Sequence, residues 1–321
     1  MTLHSGLAGF VLRRIALCAL SAVAVAVLVF FAIRAIPGDP ALTLIGDTGT
    51  EADYLALRAS MGLDRPLPVQ FAIWVGQIIG GDLGFSYAQA RPVGELVGPA
   101  ALNSLRLGAV AAVVAIVLAL VLGNLATSGS RLARRLADGI EAFFLSAPQY
   151  TVALLALILF AVTLKWFPVS GTQSIGGGDP LDVLHHLALP AVSLALTPAA
   201  HMARSLKTSI AGLRESDLLP SLLDRGLAPW RVAVHVHHNA LPPMLTVLGI
   251  QVGSILGGTI FIETLFSIPG LGSLLVYSVG VRDYATVQIV AFFVALVYVV
   301  VMFATDLVNA IIDPRIRVAV R

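Results

Sequence analysis

Six stretches of this chain are apolar over about the length needed to cross a lipid bilayer, and no other feature restricts its fold so strongly. A helix climbs about 1.5 Å per residue through roughly 30 Å of hydrocarbon, so one crossing takes about 20 apolar residues. The stretches cover residues 10–33, 105–126, 143–164, 187–203, 243–262 and 286–305. With 58% hydrophobic residues, 12% charged residues and a mean hydropathy of +0.92, most of the surface must face lipid rather than water. The prediction is an all-α, polytopic membrane protein built as one bundle of six transmembrane helices.

The spans differ in character. Residues 15–33 carry no charge and run too long for the apolar part of a cleaved signal peptide, so the first span is expected to remain. The third holds Pro148 near its start. The fourth is interrupted by Pro190 and Pro198, which predicts a kinked helix facing its neighbours, where other helices shield the freed carbonyls. Cytoplasmic loops carry the excess of Lys and Arg. Arg13 and Arg14, Arg131, Arg134 and Arg135, Arg204 to Arg231, and Arg315, Arg317 and Arg321 place thirteen of the 20 cations on one side. Acids including Asp39, Asp47, Glu51, Asp53, Asp179, Asp182 and Asp283 fall on the other, so both termini are predicted to be cytoplasmic.

Residues 36–99 form a long outer segment, in which Leu55, Leu57, Phe71, Ile73, Trp74, Ile78 and Ile79 recur at partly helical spacing. One or two short helices are expected over the outer face, covering the pathway or receiving a soluble partner. The division is therefore residues 1–99 as a first span plus outer segment, 100–312 as a five-span core, and 313–321 as a cytoplasmic tail.

A pump needs a fuel, and this chain offers none of its own. A phosphate-cradling loop requires Lys after Gly, whereas Lys165 follows Leu164 and Lys207 follows Leu206. Ion-driven carriers keep ionisable groups at mid-span. Here Arg106, Glu263 and Asp306 lie within about one turn of span ends, where snorkelling is expected to suffice. Histidines at 185, 186, 235, 237 and 238 lack further ligands, and Cys18 is the lone cysteine, so neither a metal site nor a disulfide is expected. No catalytic set assembles, and the basic residues read as an orientation signal rather than a nucleic-acid surface. Fuel is expected to act on a separate subunit.

That subunit needs something to push. In the inner loop, residues 206–239, Ser216 and Asp217 can cap a short helix in which Leu218, Leu219, Leu222 and Leu223 form one apolar face beside Asp224 and Arg225. Gly226 suits its end. The expectation is an exposed ridge that docks into a partner's groove. In the fifth span, Gly249, Gly253 and Gly257 leave one helix face nearly bare, for close packing or a passing solute.

Several segments together resemble the dipeptide, oligopeptide and nickel class of binding-protein-dependent ABC permeases, in particular the first of their two permease subunits. They are Ile36-Pro37-Gly38-Asp39-Pro40, Met61-Gly62-Leu63-Asp64-Arg65-Pro66, Gly81-Asp82-Leu83-Gly84, His186-Leu187-Ala188-Leu189-Pro190, the run from Glu263 through Phe266 and Pro269 to Gly272, Arg282-Asp283-Tyr284, and Asp313-Pro314-Arg315-Ile316-Arg317. The resemblance spans nearly the whole chain, in shared order and spacing. It implies a type I importer permease fold in the bacterial inner membrane and peptide-like solutes as cargo. It also implies a homologous second permease, two cytoplasmic ATPases carrying ATP and Mg²⁺, and an extracytoplasmic solute-binding protein that docks near Asp64, Arg65 and Asp82. No cofactor is expected on this chain itself. In such permeases the inner loop forms a coupling helix; Gly226, Asn239, Ala240, Leu241 and Pro243 fit that pattern, whereas Leu222 and Asp224 replace its paired alanines, Pro220 a basic residue and His238 an Arg. These departures imply a divergent system with a dedicated ATPase. The rival is a stand-alone secondary carrier, with its pathway between the fourth and fifth spans.

Overall fold

A computed structural model describes residues 3–35, 38–45 and 50–312. Ile36, Pro37, Asp47 and the tail from Asp313 lie outside the described residues. Among the described residues, five helices are long and apolar enough to cross a membrane, and a bent pair taken as one span makes a sixth.

Helix α1 (Leu3–Arg34) is followed by three short helices, α2 (Pro40–Ile45), α3 (Glu51–Ser60) and α4 (Leu67–Ile79), and by a hairpin in which β1 (Phe85–Ser86) pairs antiparallel with β2 (Arg91–Pro92). One or two short helices were expected in this segment, and α3 and α4 carry the apolar residues that suggested them. Helix α3 begins with a reciprocal cap, Thr50 Oγ1 accepting from Asp53 N while Thr50 N donates to Asp53 Oδ2. Hydrogen bonds from Thr50 hold the Asp53 carboxyl below the usual carboxylate range. The outer segment ends earlier than expected, because α5 (Val93–Ala126) starts at Val93 and runs through Pro99. Pro99 lies in the second turn, beyond the first turn where proline costs nothing, and gives up the one ladder bond that an N–H there would make to Glu95.

The third span is a correction. Residues 131–146 form an amphipathic helix, α6 (Arg131–Ser146), which meets α7 (Gln149–Thr163) at a bend of 110°. Pro148 causes the break: it lacks an N–H and pushes Ala147 out of the helical region, to φ −77° and ψ 134°. Phe143 and Phe144 therefore belong to the helix before the crossing. The last turns of α7, from Leu157 to Thr163, widen into π-helix geometry.

Helix α8 (Pro180–Glu215) is the centre of the bundle. It carries Pro190 and Pro198 within one continuous helix and is the most deeply buried crossing segment. It packs chiefly against α5 and α10 (Pro229–Leu265). Between α8 and α10 lies α9 (Leu218–Asp224). Helix α11 (Leu271–Gly280), which sequence reasoning missed, leads into α12 (Tyr284–Ile312), and α1 packs along α12. The core runs the length of α8: one cluster joins Ala203, Leu206 and Ile210 to Leu222 and Met244, and another joins Leu189 and Leu194 to Ile262, Phe266 and Ile268.

Candidate functional site

At the inner end, the loop between α8 and α10 folds as the short helix expected there, but its apolar residues divide. Leu222 is 7% exposed and packs into the core beside Leu206 and Val232, with Leu218 and Leu219 half-buried against the same cluster, whereas Leu223 is 54% exposed. Most of the expected ridge therefore anchors α9 to the bundle. Residues 218, 219 and 222 lie within an arc of about 100° and 223 lies about 40° beyond it, so α8 and α10 cover the first three and leave Leu223 outside. The outward surface holds Pro220, Leu223, Asp224 and Arg225. Trp230, 64% exposed with Arg231 stacked 5.2 Å from its ring centroid, extends that surface. Sequence reasoning passed over Trp230, although an aromatic beside a docking loop is a usable signal.

Of the two residues expected to cap this helix, Ser216 does and Asp217 does not. Asp217 has helical backbone angles, φ −66° and ψ −6°, and makes no side-chain cap. A side chain caps from extended backbone, and here that residue is Ser216, with ψ 165°. Its Oγ donates to Leu213 O at 2.8 Å and accepts from Leu218 N at 3.4 Å. Gly226 closes the helix at φ +71°, a left-handed angle at which a Cβ is strained.

The inner ends are cross-tied. Arg204 Nε donates to the buried Glu141 at 2.6 Å and Lys207 Nζ to Asp138 at 2.6 Å, clipping α6 to α8. Arg214 Nη1 donates to Thr127 O at 2.9 Å, and His237 Nε2 lies 2.5 Å from Asn124 Oδ1, joining α10 to α5. Several cations read only as orientation signals thus hold the helix ends in register, beside α9.

At the outer end, Glu263 corrects the snorkelling expectation. It is fully buried, its Oε1 accepting from Ser104 Oγ at 2.6 Å and its Oε2 from Gly272 N at 2.7 Å and Ser273 N at 3.2 Å. Ser104 Oγ in turn accepts from Leu271 N at 2.8 Å. The first N–H groups of α11, which lack intrahelical partners, are capped by α5 and α10. Glycine is required at 270 and 272 by proximity: a Cβ on Gly270 would strike the Glu263 carboxylate, and one on Gly272 would strike the backbone of Ile260. Asp283 works similarly, its Oδ2 accepting from Ser86 Oγ at 2.5 Å and Thr286 Oγ1 at 2.6 Å. Asp306 pairs with Arg14, tying α12 to α1. Arg106 is exposed.

Asp64, Arg65 and Asp82 are all exposed on turns of the outer segment, flanking α4, with Asp82 Oδ1 accepting from Gly84 N at 2.9 Å. The three glycines of α10 diverge. Gly249 and Gly253 lie against Thr305 and Tyr298 of α12, whereas a Cβ at Gly257 would meet nothing within 4 Å.

Residues 115–318 match the family described as binding-protein-dependent transport system inner membrane component, and residues 7–95 match its N-terminal companion. The "Probable peptide ABC transporter permease protein y4tP" of Sinorhizobium fredii is 33% identical over 313 residues, 96% of this chain and 99% of that relative. The glutathione transport system permease protein GsiC of Salmonella typhimurium is 33% identical over 311 residues, 96% of this chain and 98% of the relative. Among solved structures, a chain of the inward-facing MetNI methionine ABC transporter is similar in fold, with a TM-score of 0.52 at 15% identity over 68% of this chain and 96% of that one.

Proposed function

This chain belongs to the binding-protein-dependent transport system inner membrane component family and is a permease subunit of an ATP-driven importer; from that premise we propose that its cargo is peptides or peptide-like solutes. The observation that carries the cargo is the full-length likeness to relatives named for peptide and glutathione transport. The family's description as an inner membrane component supports placement in the bacterial inner membrane, and the charge asymmetry supports cytoplasmic termini.

Two cytoplasmic ATPases, with ATP and Mg²⁺, supply the energy, and a second, homologous permease completes the pathway. Helix α9 is the coupling element. Leu222 fixes it to the core at the junction of α8 and α10, so displacement of its exposed side, Leu223 to Arg225, is passed directly to the two helices that form most of the interior. ATP binding draws the ATPases together and α9 with them, opening the bundle outward; hydrolysis resets it inward. Gly226 lets the chain reverse at the end of α9. A solute-binding protein docks on the outer segment at Asp64, Arg65 and Asp82. Gly257 borders open space and is the glycine of the α10 triad suited to line a pathway.

The test is uptake of labelled di- and tripeptides and of glutathione by cells carrying the intact system or lacking this chain. Loss of uptake of one class on deletion supports the reading; unchanged uptake of all of them removes peptides from the cargo.

A further inference from the structure

The bend of 110° sets α6 nearly at right angles to α7, so where α7 crosses the membrane α6 runs along its inner surface. Its 16 residues present three faces. At about 100° per residue, Leu132, Leu136, Ile140 and Phe143 fall within an arc of about 80°, and all four are exposed. Ala137 and Glu141 lie on a second face, buried toward α8, where Arg204 donates to Glu141 and Lys207 to Asp138. Arg131, Arg134 and Arg135 occupy the third, which begins about 60° from Leu132, and all three are exposed. No ion pair among the described residues includes any of these arginines, whereas both acids of α6 are taken up by α8.

A helix lying in the membrane plane, with a bare apolar strip on one side and unpaired cations beside it, matches a bilayer surface that carries negative headgroups. The leucine, isoleucine and phenylalanine side chains reach below the phosphates, and the guanidinium groups stay level with them. An apolar protein groove covers the strip but leaves three cations without counter-charge. We propose that α6 is an interfacial helix that binds anionic phospholipid headgroups of the inner leaflet through Arg131, Arg134 and Arg135. Guanidinium and phosphate pair through two parallel hydrogen bonds, and each cation near such a surface favours it by about fivefold. The clips from Glu141 to Arg204 and from Asp138 to Lys207 then hold the inner end of α8 at a depth set by those headgroups. The inference rests on the inner placement of the loop between the second and third spans, and not on the cargo or on the coupling role of α9.

Phe143→Trp places a reporter on the strip once the native tryptophans, Trp74, Trp166 and Trp230, are replaced by Phe in the full chain. The protein is reconstituted into phosphatidylcholine bilayers in which a fixed fraction of the lipid is brominated in its acyl chains, either as phosphatidylglycerol or as phosphatidylcholine, because bromine quenches tryptophan only on contact. The expected result is quenching by both lipids, several-fold stronger with phosphatidylglycerol at equal mole fraction. Arg131→Gln, Arg134→Gln and Arg135→Gln should each reduce that preference a few-fold, and together abolish it, while quenching by brominated phosphatidylcholine persists and shows the helix still in place. The comparison of the two lipids with all three arginines intact needs no charge variant to fold. Equal quenching by the two lipids overturns headgroup binding, as does a preference unmoved by the three substitutions. No quenching by either lipid shows the strip covered by protein and overturns the interfacial placement.

Discussion

Ser104 on α5 and Glu263 on α10 are 159 residues apart in sequence and joined by a buried hydrogen bond of 2.6 Å. Through it, three helices share one polar junction, because the same two side chains cap the start of α11. In an interior with no water to substitute, that junction must stay complete.

Replacing Glu263 therefore tests the outer end. Glu263→Ala leaves the Ser104 hydroxyl and the N–H groups of Gly272 and Ser273 without acceptors, at a cost of about 3 kcal/mol or more. Glu263→Gln keeps one oxygen and is expected to cost less. Thermal midpoints of the detergent-solubilised protein, read by size-exclusion chromatography, should fall in the order wild type, Gln, Ala; equal midpoints would contradict a structural role.

The glycines give a graded series. Gly272→Ala drives a methyl group into the backbone of Ile260, which cannot move aside, and is expected to prevent folding. Gly249→Ala and Gly253→Ala press on side chains of α12, which can rotate, and should destabilise by about 1–3 kcal/mol. Gly257→Ala has space and should fold normally; changed solute selectivity with unchanged stability would mark it as lining the pathway. If Gly257→Ala is as unstable as Gly249→Ala, that assignment falls.

On α9, neighbouring leucines should behave oppositely. Leu222→Ala empties a core position and should cost about 2–5 kcal/mol. Leu223→Asp, on the exposed side, should leave stability intact while abolishing ATPase capture in pull-down. Gly226→Val forces a branched residue to φ +71° and should abolish transport while membrane insertion persists. Retained transport in Gly226→Val would remove α9 as the coupling element.

Charge at the outer face should set the encounter with the binding protein rather than the fold, since Asp64, Arg65 and Asp82 are exposed. A triple alanine variant is expected to raise the binding-protein concentration for half-maximal ATPase stimulation roughly tenfold. An unchanged concentration would place the docking surface elsewhere.

The crossing segments were legible in the sequence because a membrane enforces long uncharged runs, and residues 15–33, 243–262 and 286–305 leave little choice. The bend at Pro148 was not, since apolar residues continue on both sides of it and composition does not record direction. Helix α11 was missed because its ten residues are too short to register as a crossing. Glu263 lies near a span end, where snorkelling is the ordinary outcome; only the fold reveals Ser104 beside it. In α9 the leucines were visible, but which of them face inward depends on where α8 and α10 stand.

The central claim, that this bundle is driven by separate ATPases, is tested most directly by purifying it from its native membrane and assaying ATP hydrolysis with and without the binding protein. The account predicts recovery of a second permease and two ATPase subunits, with hydrolysis stimulated by the loaded binding protein. Recovery of this chain alone, with uptake that collapses when an ion gradient is removed and ignores ATP, would contradict it.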